Sequence, residues 1–206
     1  MKRFLPLLTC LIITACGSGS DDSSKPTPII EPEVPTLSAD VCYLMSTTKG
    51  DISLAIDLTN TPITGNNFKD YVDSDFYAGT LFHRAINNFM IQGGGLTSGL
   101  VTKAANDPII NEASVGISNE RGTIAMARTS APDSATSQFF INVLDNPHLD
   151  ASDSSDGYAV FGKVISGMDI ADAISIVDTH AVSGRVDVPV TEILITSVTE
   201  MSCPSI

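Results

Sequence analysis

The sequence predicts a mainly β fold, a closed antiparallel barrel with two capping helices, over residues 40–206. Three observations carry that expectation. Ile52, Leu54, Ile56 and Leu58 alternate with Ser53, Ala55 and Asp57, the period of a half-buried strand. Short strand-like runs recur downstream, over residues 80–84, 89–92, 122–127, 138–143, 158–164 and 190–200. Only two stretches in this region carry helical spacing. Many short strands with few helices favour a sheet curled on itself, and periodicity alone leaves open which barrel it is.

The chain opens MKRFLPLLTCLIITAC. Lys2 and Arg3 make a basic start, and residues 4–13 make an apolar run of about ten residues. A bilayer span needs about 20, so the pattern is that of a signal peptide over residues 1–15. Ile13-Thr14-Ala15-Cys16 resembles a bacterial lipobox, in which the cysteine thiol receives a diacylglycerol and the chain is cut just before it. The alternative is an ordinary secretory leader with an incidental Cys16. Gly17 follows, and in Gram-negative cells that resembles a signal for the outer membrane. The expected location is the cell envelope, anchored to a membrane through lipid on Cys16 and facing the periplasm or the exterior.

Residues 16–39 have the composition of a tether carrying the lipidated cysteine. Gly, Ser and Asp come first, then Pro26, Pro28, Pro32 and Pro35. The first half is of a flexible kind and the second of an extended kind, reaching roughly 70 Å at ~3.1 Å per residue.

The folded region begins with two strand patterns, residues 41–47 and 52–58, joined at Thr48-Lys49-Gly50-Asp51 as a hairpin. Thr61 followed by Pro62 opens the first helix, with Phe68, Tyr71 and Val72 on one face. Met168, Ala171 and Ile174 give the second, over residues 167–175. The net charge of −13 and the lack of any basic cluster exclude a nucleic-acid partner. His83, His148 and His180 are the only histidines, and none has zinc spacing to Cys or another His. The acidic run DASDSSDG at 150–157 lacks the full calcium-loop pattern and reads as a solvated turn. Ser130 and Ser134 stand in no nucleophile elbow, which excludes a serine hydrolase.

Two blocks go further: FHRAINNFMIQGGG at residues 82–95 and SQFFI at 137–141. Together they resemble the cyclophilin family of peptidyl-prolyl cis-trans isomerases, and the likeness extends from about residue 42 to residue 198. The resemblance implies an eight-stranded barrel with two capping helices. It implies an enzyme without metal or cofactor that rotates X–Pro bonds in proline-containing polypeptides. For an exported chain these are exported proteins whose folding it assists, and a monomer is expected.

By the same resemblance Arg84 is the catalytic arginine, with Phe89 and Gln92 beside it. Gln92 matches the glutamine that orients the arginine and touches the peptide backbone. Met90, Phe140, Leu149 and Tyr158 match walls of the proline pocket, together with Phe89. Without the resemblance all five read as plain core. Ala127, Arg128 and Gln138 match the groove for residues before proline, where Ala127-Arg128 replaces an Ala-Asn pair of many members. Tyr158 replaces a His of many eukaryotic members, and His148 replaces their Trp, a contact for the drug cyclosporin. Gly93, Gly94 and Gly95 permit tight backbone geometry, and no GK[ST] follows to suggest a phosphate loop. In the family the terminal strands are antiparallel neighbours. The resemblance therefore implies a Cys42–Cys203 disulfide, which an exported compartment allows, the alternative being two separate thiols.

Two other function classes fit part of this pattern. A binding module would use the proline groove without turnover, and a structural surface lipoprotein would keep only the fold. Arg84, Phe89 and Gln92 favour the enzyme, because a pure binder has no use for a transition-state donor.

Overall fold

A computed structural model describes residues 35–204. The expected signal peptide, Cys16 and most of the expected tether lie outside the described residues.

The alternation at the start of the domain does form a hairpin, β1 (Val41–Thr47) and β2 (Gly50–Ile56), joined by a tight turn. Helix α1 (Pro62–Asp73) begins at the proline, whose fixed φ suits a first turn. Thr61 stands at its N-cap but makes no capping bond there. The free amides of Ile63 and Thr64 instead donate to the carboxylate of Glu112, at 3.1 and 2.7 Å.

Next come β3 (Thr80–Ile86), β4 (Met90–Thr97), the two-residue β5 (Val101–Thr102), β6 (Thr123–Met126), β7 (Phe139–Asn142) and β8 (Val160–Ser166). Helix α2 (Met168–Ser175) follows Gly167, whose φ of 87° suits glycine. The chain ends with β9 (Thr179–Val182), β10 (Arg185–Pro189) and β11 (Ile195–Met201).

The closed barrel expected from sequence is not what forms. The ladder runs β11-β1-β2-β8-β6-β7-β4-β3, an open half-barrel, with β5 paired to β4 off that path. Its end strands meet only at the isolated Leu81–Leu194 bridge, flanked by Gly79 N–H to Ile195 O and Phe82 N–H to Ile193 O. Beyond that bridge the two edges form no ladder, so the sheet stays open there. β9 and β10 form a separate two-stranded ribbon that packs against β3.

The core is aromatic and lies inside the curl. Phe68 of α1 is fully buried among Tyr43, Tyr77, Phe139 and Phe161, with ring centroids 5.0 to 5.9 Å apart. Ala171 and Ile174 of α2 join the same cluster. A second, smaller cluster of Met90, Ala125, Phe140 and Val160 faces the other way, and the site is built on it. Gly94 and Gly95 of β4 leave room for side chains at the start of the neighbouring strand β7. A Cβ on Gly94 would lie 2.7 Å from the Phe139 ring, and one on Gly95 would lie 2.3 Å from the Gln138 side chain.

The ends of the domain are tied together. Cys42 in β1 and Cys203 just past β11 form a disulfide with Cα atoms 5.1 Å apart, the pairing the family resemblance implied. Beside it Asp57, fully buried, accepts hydrogen bonds from both the amide and the hydroxyl of Ser38, from the amides of Thr59 and Asn60, and from the Asn60 side chain. Ser38 belongs to the segment expected as tether, so the last residues of that segment are held by the domain.

Candidate active site

Arg84 lies on β3, Met90 and Gln92 on β4, and Phe89 in the turn between them. That turn is tight because Asn88 adopts φ 55°, a left-handed conformation that Asn tolerates. Strand pairing then fixes the neighbours. Arg84 stands opposite Gln92, and Gln92 stands opposite Phe140 of β7. Phe140 stands opposite Ala125 of β6, and the Ala127 amide donates to Gln138 O at 2.9 Å.

These strands open onto a cavity of about 150 Å³ lined by Arg84, Phe89, Met90, Gln92, Ala127, Arg128, Phe140, Leu149 and Tyr158. Two further residues singled out by sequence lie at its rim. The His148 ring stacks on Phe89, with centroids 5.7 Å apart and planes 23° apart. Gln138 accepts a hydrogen bond from Gln92 Nε2 at 3.0 Å. The floor is apolar, with Met90 and Phe140 buried. The Tyr158 ring meets Phe140 edge-on, at 5.6 Å and 81°. All eleven protein contacts expected from sequence therefore gather around one cavity.

The polar side differs from expectation in its partners. Gln92 gives its amide to Gln138, and the charged group that meets Arg84 is Asp187 of β10, with Oδ2 3.6 Å from Nε. Arg128 lies over the Tyr158 ring, 4.7 Å from its centroid. It donates from Nε to Gly157 O at 2.8 Å and from a terminal nitrogen to Thr129 O at 3.0 Å. Those bonds hold the guanidinium over the ring, a cation–π arrangement.

A chain of amides behind the cavity sets its far wall. Asn146 donates to Phe89 O at 2.9 Å and to Asn142 Oδ1 at 2.8 Å, and Asn142 donates to Thr123 Oγ1 at 2.9 Å. Asn119 donates to Tyr158 O at 3.2 Å and to Asp150 Oδ1 at 2.9 Å. Asp150 also accepts from the Ser118 hydroxyl and the Asn119 amide, so the first residue of the expected solvated turn is an anchor. Sequence reasoning passed over Asn119, Asn142, Asn146 and Asp187, because single polar residues in strands and loops carry no periodic signal.

His83, next to Arg84, points away into a second cavity of about 260 Å³ between β3 and the β9–β10 ribbon. It is buried and its Nδ1 has no hydrogen-bond partner. Burial pushes its pKa down to about 4, with the nearby Arg185 and Arg84 acting in the same direction. The imidazole is therefore neutral at physiological pH. Among the described residues no three His, Cys, Asp or Glu side chains gather to hold a metal ion.

Known proteins are similar to this chain in sequence and in fold. Residues 42–200 match the family model for cyclophilin type peptidyl-prolyl cis-trans isomerases. The chain is 54% identical over 154 residues to peptidyl-prolyl cis-trans isomerase A of Dickeya dadantii, covering 75% of this chain and 81% of that protein. It is 50% identical over 156 residues to peptidyl-prolyl cis-trans isomerase B of Escherichia coli, covering 74% and 95%. Among solved structures it resembles a Cryptosporidium parvum isomerase of cyclophilin type crystallised in the presence of the dipeptide Ala-Pro. The TM-score there is 0.66 at 25% identity, covering 79% of this chain and 99% of that one.

Proposed function

The chain belongs to the cyclophilin-type peptidyl-prolyl cis-trans isomerase family, and from that premise we propose that the cavity beside Arg84 is where it rotates X–Pro bonds. The activity itself, cis/trans isomerisation that assists protein folding, is that of its relatives. The substrates of such an enzyme are proline-containing peptides.

The chemistry demands little of the protein. Rotation about an X–Pro bond crosses a barrier of ~18–20 kcal/mol, set by lost amide resonance. In the twisted state the nitrogen lone pair localises and accepts a hydrogen bond that the planar state refuses. A donor aimed at that nitrogen stabilises the transition state selectively. Arg84 fills this role, since its guanidinium is always charged and carries several donors. Phe89, Met90, Phe140, Leu149 and Tyr158 receive the proline ring, and a cavity of about 150 Å³ suits a group of that size. Gln92 and Gln138, already bonded to each other, face the peptide backbone. Ala127 and the clamped Arg128 meet the residues before proline. The observation that carries the reading is the placement of Arg84, its guanidinium not clamped as that of Arg128 is, at the edge of a proline-sized cavity with an apolar floor of Met90 and Phe140.

A protease-coupled assay of X–Pro isomerisation tests it. The wild-type protein accelerates the reaction, and Arg84→Ala lowers kcat/KM by at least ~10²-fold, about 2.7 kcal/mol. A folded Arg84→Ala protein with wild-type turnover would refute the assigned role.

The reading extends to place. The lipobox-like Ile13-Thr14-Ala15-Cys16 and the Pro- and Ser-rich segment after it support a lipoprotein, tethered to a membrane of the cell envelope and acting on exported proteins as a monomer. A Cys42–Cys203 disulfide suits such an oxidising compartment. Several acyl chains give stable attachment where one is marginal. Mass spectrometry of the native protein should find diacylglycerol on Cys16, and a mature chain that starts elsewhere without lipid would rule the anchor out.

A further inference from the structure

Arg84 needs something to hold it, and the obvious neighbour is engaged elsewhere. Gln92 stands opposite it across β3 and β4, yet its amide is given to Gln138. The carboxylate that reaches the guanidinium comes from outside both sequence blocks: Asp187 Oδ2 lies 3.6 Å from Arg84 Nε.

The backbone is shaped to put it there. β9 and β10 turn through Ser183 at φ 52° and Gly184 at φ 76°, the paired positive values of a two-residue hairpin loop. The register then shifts between Arg185 and Val188, so Val186 and Asp187 bulge out of the pairing. Asp187 itself sits at φ 58°, where most side chains are disfavoured and Asp and Asn are tolerated. Buried Val188 fixes the next position, and the ribbon packs on β3. From this bulge the Asp187 carboxylate reaches the arginine.

We propose that Asp187 is a positioning residue for Arg84, holding the Nε edge so that the terminal nitrogens stay aimed over the cavity. This rests on the reading that Arg84 donates to the prolyl nitrogen. A long arginine side chain samples many rotamers, and a donor that must first find its place gives up part of its selectivity for the transition state. Both side chains are more than a third exposed, 38% and 37%, so the pair adds little to folding stability and its effect on turnover can be read separately.

The test is Asp187→Asn in the full-length protein. Asparagine keeps the size and tolerates the left-handed backbone, so only the charge is removed. The expected result is a fall in kcat of about fivefold, the scale of a half-exposed ion pair, with KM and the thermal midpoint unchanged. High salt should narrow the gap between wild type and Asn. In an Arg84→Ala background the Asn substitution should have no further effect, because it acts only through the arginine. Wild-type kcat in Asp187→Asn overturns the proposal, as does a fall that persists without Arg84. Should Arg84→Ala alone leave turnover intact, the role given to Arg84 fails first, and the proposal falls with it by a result distinct from either of these.

Discussion

Asp57 and Arg84 lie in or beside strands of the same sheet and are treated in opposite ways. Asp57, at the seam where the ends of the described domain meet, is fully buried and accepts five hydrogen bonds from Ser38, Thr59 and Asn60. Burial pushes its carboxyl up, but the bonds from Asn60 and Ser38 outweigh that and hold it below its ordinary value. Arg84, at the cavity, is 38% exposed and meets one carboxylate at 3.6 Å. The seam saturates its polar groups and locks them with a disulfide. The cavity leaves donor capacity unused, which is what a transition-state donor needs. Under the function proposed above, stability and turnover would be drawn from different places on one sheet, and each should yield to perturbation without the other.

The largest expected effect is at the seam. The Cys42–Cys203 bridge closes a loop with a sequence separation of 161, for which the chain-entropy model gives about 5 kcal/mol as an upper figure. Cys42→Ala with Cys203→Ala should lower the free energy of unfolding by up to that amount in urea titration, with kcat/KM of the folded protein unchanged. A comparable loss of turnover under folding conditions would break the division between the two regions. Arg84→Ala is the mirror experiment, about 2.7 kcal/mol in transition-state stabilisation with the thermal midpoint held, since its ion pair is half exposed. A large drop in midpoint would mean that Arg84 belongs to the frame.

His83 sharpens the comparison, because it sits next to Arg84 in sequence and behaves as part of the frame. Its folded pKa is pushed down to about 4 by burial, with Arg185 and Arg84 adding to the effect. In the unfolded chain it protonates near ~6.5. Between those values the unfolded state binds a proton that the folded state does not. The stability contribution is therefore complete above about 6.5 and is lost as pH falls toward the folded value. Unfolding free energy should be about 2 kcal/mol lower near pH ~5 than near pH ~7, and His83→Gln should flatten that slope. An unchanged slope in the variant would show that another group titrates.

Much of this architecture is legible in the amino-acid order. The strand at residues 41–47 and the helix starting at Pro62 fall where periodicity and proline put them, because both signals are local. The gathering of Arg84, Gln92, Phe140 and Tyr158 is legible only through the family blocks, since cross-strand register joins residues far apart in sequence. The expectation of a closed barrel fails for a related reason. Alternation says which face of a strand is buried but not how far its edge is paired, so a seam reduced to the single Leu81–Leu194 bridge leaves no mark in the pattern. The β9–β10 ribbon escapes the sequence reading although Ser183-Gly184 is a turn signal between alternating runs. The Glu112 carboxylate that caps α1 from 49 residues away leaves no local trace at all.

The disulfide has a mechanical side as well. Cys42 is the second residue of β1, so tension arriving from the N-terminal segment meets a covalent crosslink almost as soon as it enters the sheet. Under the lipid tether proposed above, the pull of a drifting membrane would pass from Cys42 across to Cys203 at the other end of the chain. Loads that would otherwise unzip β1 from β11 strand pair by strand pair are carried by a bond between their ends. The strands that carry the candidate site, β3, β4, β6 and β7, lie further along the ladder from that crosslink, like a vessel below a riveted handle.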